Sequence, residues 1–363
     1  MFSPSAVSMI LHSVLPERLA RIALEESVPI VFANSREVAG FVRRLTGEFP
    51  RDRWVRLPIV GRTTLRLDFE LWFRGHVGVD VVKGVTFFWG RVPINLLADH
   101  LIEFHESRAS EHLVDLGSPV YALHGNLPFD QECHEYLLRS APTPGQAKVG
   151  AAVVDLGKQS TQGPTNYDNL LRHAVNTNIE LSDHAKKVLS VLLDRLDSHG
   201  ILGDTTVSCA LVRPPAAMVA AGKSWFGQSN AVEMLDAIMA LEAQLTQDNL
   251  PAAVNISLGT HIGPHNGDSP IEEYIATKLV RPGERFVVAA AGNDGGSGVA
   301  AKRVLVANER DFLSLRTGGP RCNEVLVEFW WDDANGGDLT IEAEIYARPA
   351  GGSRGLLGVV KID

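Results

Sequence analysis

Between residue 146 and about residue 307, short apolar runs alternate with stretches of helical periodicity, and this alternation restricts the fold more than anything else in the chain. The apolar runs cover 148–155, 205–213, 252–258, 285–291 and 303–307, and the helical patterns cover 183–197, 230–246 and 269–281. Strands joined by helix-length connections pair in parallel, because a parallel neighbour needs a long crossover. Their near-continuous apolar character implies a sheet buried on both faces. The segment is therefore expected to be α/β, a parallel sheet flanked by helices. Sheets of this kind hold ligands outside the carboxyl ends of their strands, so the residues directly after each run are the first candidates for chemistry.

The flanks read differently. Residues 1–145 are expected to form an N-terminal α+β domain. It would contain a strand at 28–33, a helix capped by Asn34 or Ser35 and running through Val38, Phe41, Val42 and Leu45, an alternating half-buried strand at 63–73, strands at 77–82 and 85–89, and a helix at about 94–106. Pro142-Thr-Pro-Gly145 marks its boundary by turn chemistry. The α/β domain would then span 146–319. From 320 to 363 the pattern is β alone, with alternating runs at 324–331, 339–346 and 356–362 separated by Gly- and Asp-rich turns. An antiparallel, β-sandwich-like segment is expected there, incomplete at its end and with a core from Trp330, Leu339, Ile341 and Leu356 or Leu357.

Composition excludes several classes. A hydrophobic content of 45% with 21% charged residues describes a globular chain. The net charge of −9 argues against a general nucleic-acid surface. Three cysteines, Cys133, Cys209 and Cys322, are too few and too scattered for a disulfide framework or a zinc site, and read as reduced thiols. Met1–Leu15 lacks a positive n-region and a long apolar core, and no run reaches membrane-spanning length. A cytoplasmic protein with no membrane partner is expected.

Three residues at run ends carry candidate chemistry. Asp155 closes Val149-Gly-Ala-Ala-Val-Val-Asp-Leu-Gly157, where a carboxylate could orient a histidine; the other reading is an Asp that caps the turn. His184 falls in the first turn of a helix capped by Ser182 or Asp183, with an apolar stripe at Ala185, Val188, Leu189, Leu192, Leu193 and Leu196. It is either a general base or a solvent-facing ring. Asn293 follows Phe286-Val-Val-Ala-Ala-Ala-Gly292, where its amide could donate to a developing oxyanion or serve an Asn-Asp-Gly turn. His261, His265 and Asp268 match no metal-ligand spacing and read as a polar loop, so neither metal nor cofactor is expected.

Ser257-Leu-Gly259 at the end of one run and Ala290-Ala-Gly-Asn293 at the end of the next together resemble the subtilisin-like serine proteases. Val154-Asp155-Leu-Gly157 is similar to that family's aspartate motif. The resemblance covers the α/β segment and implies a serine endopeptidase acting on a polypeptide substrate. Asp155 would orient, His184 would be the base and Asn293 the oxyanion donor. Ser257, Leu258, Gly259, Ala290, Ala291 and Gly292 would line the substrate cleft, pairing with an extended peptide. Two departures stand out: Ala185-Lys186 replaces the family's Gly-Thr after the histidine, and no Gly-Thr-Ser-x-Ala follows Asn293. Gly227-Gln-Ser229-Asn-Ala lies too early in the chain, and Ser229 is expected to cap the 230–246 helix. Ser353, between glycines in a β-patterned stretch, is a weak nucleophile candidate beside Ser297 and Ser314. The nucleophile is therefore expected outside this chain, and the 363-residue polypeptide alone is expected not to react with a fluorophosphonate. The alternative is an inactive relative that binds peptides or regulates a partner.

Overall fold

The computed structural model describes residues 40, 43, 56–63, 77–93, 112–115, 119–122, 147–159, 172–173, 179–214, 229–260, 267, 269–292, 341–347 and 355–362. Its sheets mix parallel and antiparallel strands, with few helices, so the chain is of mixed α/β type. The chain divides into two compact units, each described by itself. Outside the described residues lie the sequence-predicted strands at 28–33, 303–307 and 324–331, the helix at 94–106 and, apart from Thr63, the strand at 63–73. Gly40 and Arg43 are helical.

In the first unit, β1 (Arg56–Thr63), β2 (Val77–Val82), β3 (Val85–Pro93) and β4 (His112–Asp115) form an antiparallel sheet in the order β2-β3-β1-β4. The β2–β3 hairpin turns on Lys83 and Gly84, both at positive φ (52° and 84°). Such a two-residue turn matches the right-handed twist of its strands. Phe87, Phe88 and Trp89 of β3 are buried with Val60 of β1.

The second unit opens with β5 (Pro119–Ala122), followed by β6 (Val149–Gln159), β7 (Arg172–His173) and β8 (Ile179–Leu181). Helix α1 (Asp183–Ser198) and a 3-10 turn (Leu202–Asp204) lead to β9 (Thr205–Val212). β10 (Ser229–Asn230) runs into α2 (Ala231–Asp248), then β11 (Ala252–Ile256) and β12 (Leu258–Gly259). Helix α3 (Pro270–Tyr274), whose residues up to Glu272 belong to the first unit, passes into a π-helical turn (Ile275–Leu279) before β13 (Arg285–Ala289). Ser269 and Glu272 form a reciprocal capping box at the start of α3.

The main sheet is parallel, in the order β13-β11-β6-β9-β7, with β8 paired antiparallel to the tail of β6. Strand β6 is central because the chain crosses to one side of it through β7 and β9 and to the other through β11 and β13. Alternation along β6 sends Val153 toward α1, where it joins Cys209 and Leu211 of β9 and Ala185, Leu189 and Leu193 of the helix in one buried cluster. Burying a leucine this completely contributes roughly 1.5–3 kcal/mol. Helix α2 packs against β9 and β6. Gly150 packs closely on the neighbouring strand β11, since a Cβ there would sit 3.1 Å from the Ala252 Cβ, while its 3.7 Å distance to Leu245 of α2 would be ordinary contact.

α2 is tied to β13 by charge. Glu242 accepts from Arg281 at 2.7 Å and from Arg285 at 3.3 Å, and Thr246 bonds both Glu242 and Arg285. The Arg285 side chain is only 3% exposed. Back in the first unit, β14 (Ile341–Ala347) and β15 (Gly355–Ile362) form an antiparallel pair with an irregularity at Ile345/Tyr346. Trp330 and Leu339 lie outside the described residues.

Candidate active site

Asp155 lies at the carboxyl end of β6, one residue past the end of its pairing with β11 and one before the end of its pairing with β9. Pairing with β11 ends at Val154↔Ile256, and pairing with β9 ends at Leu156↔Val212. Beyond it, Gly157–Gln159 turn to β8 instead. Because the chain order reverses about β6, the carboxyl end of this strand is the point in the sheet where a crevice forms. Two residues on from Val153, Asp155 faces the α1 side, and it is fully buried. Its Oδ1 accepts from the Leu156 N–H at 2.6 Å.

The partner of this carboxylate is His184. Nδ1 of the imidazole lies 2.8 Å from Asp155 Oδ1 and 3.0 Å from Oδ2. The local sequence explains the meeting. β8 pairs with the β6 tail through Gly157↔Leu181, so the chain is already held beside Asp155 when α1 begins two residues later. Ser182 caps that start, its Oγ accepting from the Ala185 N–H at 3.1 Å. The ring is thereby fixed in the first helical turn, with 9% of its side chain exposed. Gly157 is required for this approach: a Cβ there would collide with Ile179 and come within 3.3 Å of the Leu211 Cβ.

A carboxylate can only accept, so Nδ1 carries the proton and the basic lone pair of the neutral ring is on Nε2. That is the tautomer a general base needs. The nearby Cys209 thiol is pushed far above its usual range, first by burial and then by the negative charge of Asp155. It stays protonated and takes no nucleophilic role.

The substrate-side candidates fall on the neighbouring strand ends. The Ser257 N–H donates to the Val154 carbonyl at 3.1 Å, which sets Ser257 beside Asp155 on the next strand. Asn255 Nδ2 donates to Ser257 Oγ at 2.7 Å. The Ala290 N–H donates to the Ile256 carbonyl at 3.0 Å, so Ala290 stands beside Ser257 in turn. Ala290, Ala291 and Gly292 are exposed, and Gly292 has a φ of 90°, in the region that favours glycine. Leu258 and Gly259, one strand further along the chain, pair antiparallel with β5 at Ala122 and Tyr121. Asn293, Ser297, Ser314, Ser353, His261, His265 and Asp268 lie outside the described residues.

One expectation is corrected. Ser229 does not cap α2; Asn230 does, its Oδ1 accepting from Val232 N–H at 3.0 Å and Glu233 N–H at 3.2 Å. Ser229 is fully buried and donates instead to the Arg213 carbonyl at 2.6 Å. Both residue types make good caps, and the buried hydroxyl had a carbonyl within reach that the sequence does not reveal. Two positioning features also went unread: the short strand β8, whose only local signal was the alternation Ile179-Glu-Leu181, and the pairing of β5 with β12.

Among the described residues, no group of three or more His, Cys, Asp or Glu side chains is arranged to hold a metal ion. Among the same residues, no helix is long and apolar enough to cross a membrane. No protein-family model and no characterised protein sequence matches the chain.

Proposed function

We propose that this chain carries the base and orienter of a serine-type endopeptidase site of the subtilisin-like kind, acting on extended polypeptides. One observation carries the reading: a fully buried aspartate at the end of the central strand accepts from Nδ1 of a histidine in the first turn of the next helix. In this reading a hydroxyl presented to His184 Nε2 attacks the scissile carbonyl. His184 takes its proton and later returns it to the leaving amine, while Asp155 holds the ring and stabilises the imidazolium. Asn293, just past the Gly292 turn, supplies an amide to the oxyanion. Ser257–Gly259 and Ala290–Gly292 offer main-chain groups to the substrate. The nucleophilic serine is not assigned to any described residue.

Fluorophosphonate labelling with mapping of the adduct tests this. Any serine that labels, in this chain or in a longer product that contains it, should depend on both His184 and Asp155. Labelling that survives His184→Ala would sink the proposal. A second reading, an inactive module that binds peptides, draws on the pairing of Leu258–Gly259 with an extended strand. Peptide capture without labelling in every form of the protein would favour it.

A further inference from the structure

Three neighbouring strand ends meet at the carboxyl edge of the parallel sheet: β6 with Asp155, β11 with Ser257 and β13 with Ala290. Ser257 is the middle one. Its N–H donates to the Val154 carbonyl and the Ala290 N–H donates to the Ile256 carbonyl, so one strand spacing of about 4.8 Å separates it from each side. Asn255 is paired with Val153, whose side chain faces α1, and paired residues of a ladder point to the same face. Two residues on, Ser257 shares that face with Asp155 and with the His184 ring bonded to it.

The hydroxyl of Ser257 is arranged to give its proton away. The residue is only 8% exposed, and its Oγ accepts from Asn255 Nδ2 at 2.7 Å, the one partner of this side chain among the described residues. A hydroxyl carries one proton and two acceptor sites, so this bond leaves the proton unspent. An amide that donates to the oxygen also favours its anionic form over the neutral one. On the other side, Ala291 and Gly292 lie exposed past the end of β13, where Gly292 turns the chain at a φ of 90°. Acyl transfer needs a base and oxyanion donors on either side of one nucleophile. The strand ends supply them in that order: His184, Ser257 and the Gly292 turn.

We infer that Ser257 is the nucleophile of this site, inside the chain rather than beyond it. The inference rests on the proposed function for the roles of Asp155 and His184, and it fills the place that reading leaves open. With substrate bound, the Ser257 hydroxyl passes its proton to His184 Nε2 as Oγ bonds the scissile carbonyl carbon, and the carbonyl electron pair moves onto oxygen. The C–N bond then breaks, and the amine leaves with its electron pair and the proton from the imidazolium. Water, deprotonated by Nε2, attacks the acyl carbon; the bond to Oγ breaks, and Ser257 takes the proton back. Catalytic hydrogen bonds of this kind often tighten only in the substrate complex. Until then Asn255 holds the hydroxyl.

The experiment treats the unaltered 363-residue chain with a fluorophosphonate and maps the adduct by tandem mass spectrometry. The adduct should sit on Ser257. His184→Ala should slow its formation by about 10²–10⁴-fold, the usual contribution of a positioned base. Asn255→Leu, which keeps the bulk and removes the donor, should slow it by about tenfold or more. Ser257→Ala should abolish it, and the map on the unaltered chain decides the matter even if that variant does not fold. No adduct on the unaltered chain overturns the inference. So does an adduct on another serine that depends on His184, which leaves the proposed function standing. An adduct on any serine that forms as fast in His184→Ala overturns both.

Discussion

Gly157 and Ile179 are packed so closely that a methyl group on residue 157 would overlap the isoleucine side chain. This contact lets β8 lie on the tail of β6 and deliver His184 to Asp155. Gly157→Ala should cost about 1–3 kcal/mol of stability through overpacking. It should also separate the His184 ring from the carboxylate. Adding Ile179→Ala should restore part of both, read by denaturant unfolding and by a crystal structure of the pair. Additive losses in the double variant would show that the contact does not position the histidine.

Removing either member of the buried pair should have distinct effects. His184→Ala leaves Asp155 in a fully buried site without its cationic or donor partner, and should cost about 3–5 kcal/mol. Asp155→Asn keeps the shape but favours the wrong tautomer. It should lower peptidase activity, in any form of the protein that has it, by about 10⁴-fold. Unfolding curves and hydrolysis rates check the two claims. A His184→Ala chain as stable as the parent would mean that the aspartate is not charged there.

Asp155 and His184 were legible because each motif is local: a carboxylate closing an apolar run, and a histidine just inside a capped helix. The strand limits were less so. The apolar run predicts 148–155, but β6 continues to Gln159, because its polar tail pairs with β8 rather than with the sheet. The helix predicted over 269–281 is five residues of α-helix followed by a π-helical turn. β5 was not legible at all. Pro-Val-Tyr-Ala is too short to show a period, and its partners lie more than a hundred residues downstream, at 229–230 and 258–259. The apolar character of β13 predicts a strand buried on both faces; the strand forms, but Phe286 and Val288 are 65% and 60% exposed, so one face is open.

Cys209 should be chemically inert while the chain is folded. Its thiol is held protonated by burial and by Asp155, whereas an unfolded chain releases that proton near pH 8.5. Below that pH both states carry the proton and the group does not affect stability. Above it only the unfolded state ionises, so stability falls as pH rises, by at most about 1.4 kcal/mol per pH unit. Iodoacetamide followed by mass spectrometry should modify Cys209 only in denaturant. Cys209→Ala should flatten the alkaline limb of the stability curve. Rapid native-state alkylation of Cys209 would contradict this.

Glu242 neutralises the buried Arg285 and the partly exposed Arg281 across the α2–β13 junction. Glu242→Ala should cost about 3–5 kcal/mol, because it leaves an arginine without its carboxylate in a site only 3% exposed. Hydrogen exchange in β13 should speed up more than exchange in β6. Uniform acceleration across the sheet would mean that the cluster supports the whole unit rather than this edge.

The central claim is that Asp155 fixes His184 as a base with its lone pair on Nε2. Long-range ¹H–¹⁵N correlation spectra of the ¹⁵N-histidine-labelled chain, recorded where the ring is neutral, test it directly. The account predicts that His184 carries its proton on Nδ1 in the parent chain and that Asp155→Asn shifts the proton toward Nε2. A parent chain in which His184 is protonated on Nε2, or in which Asp155→Asn leaves the tautomer unchanged, would contradict it.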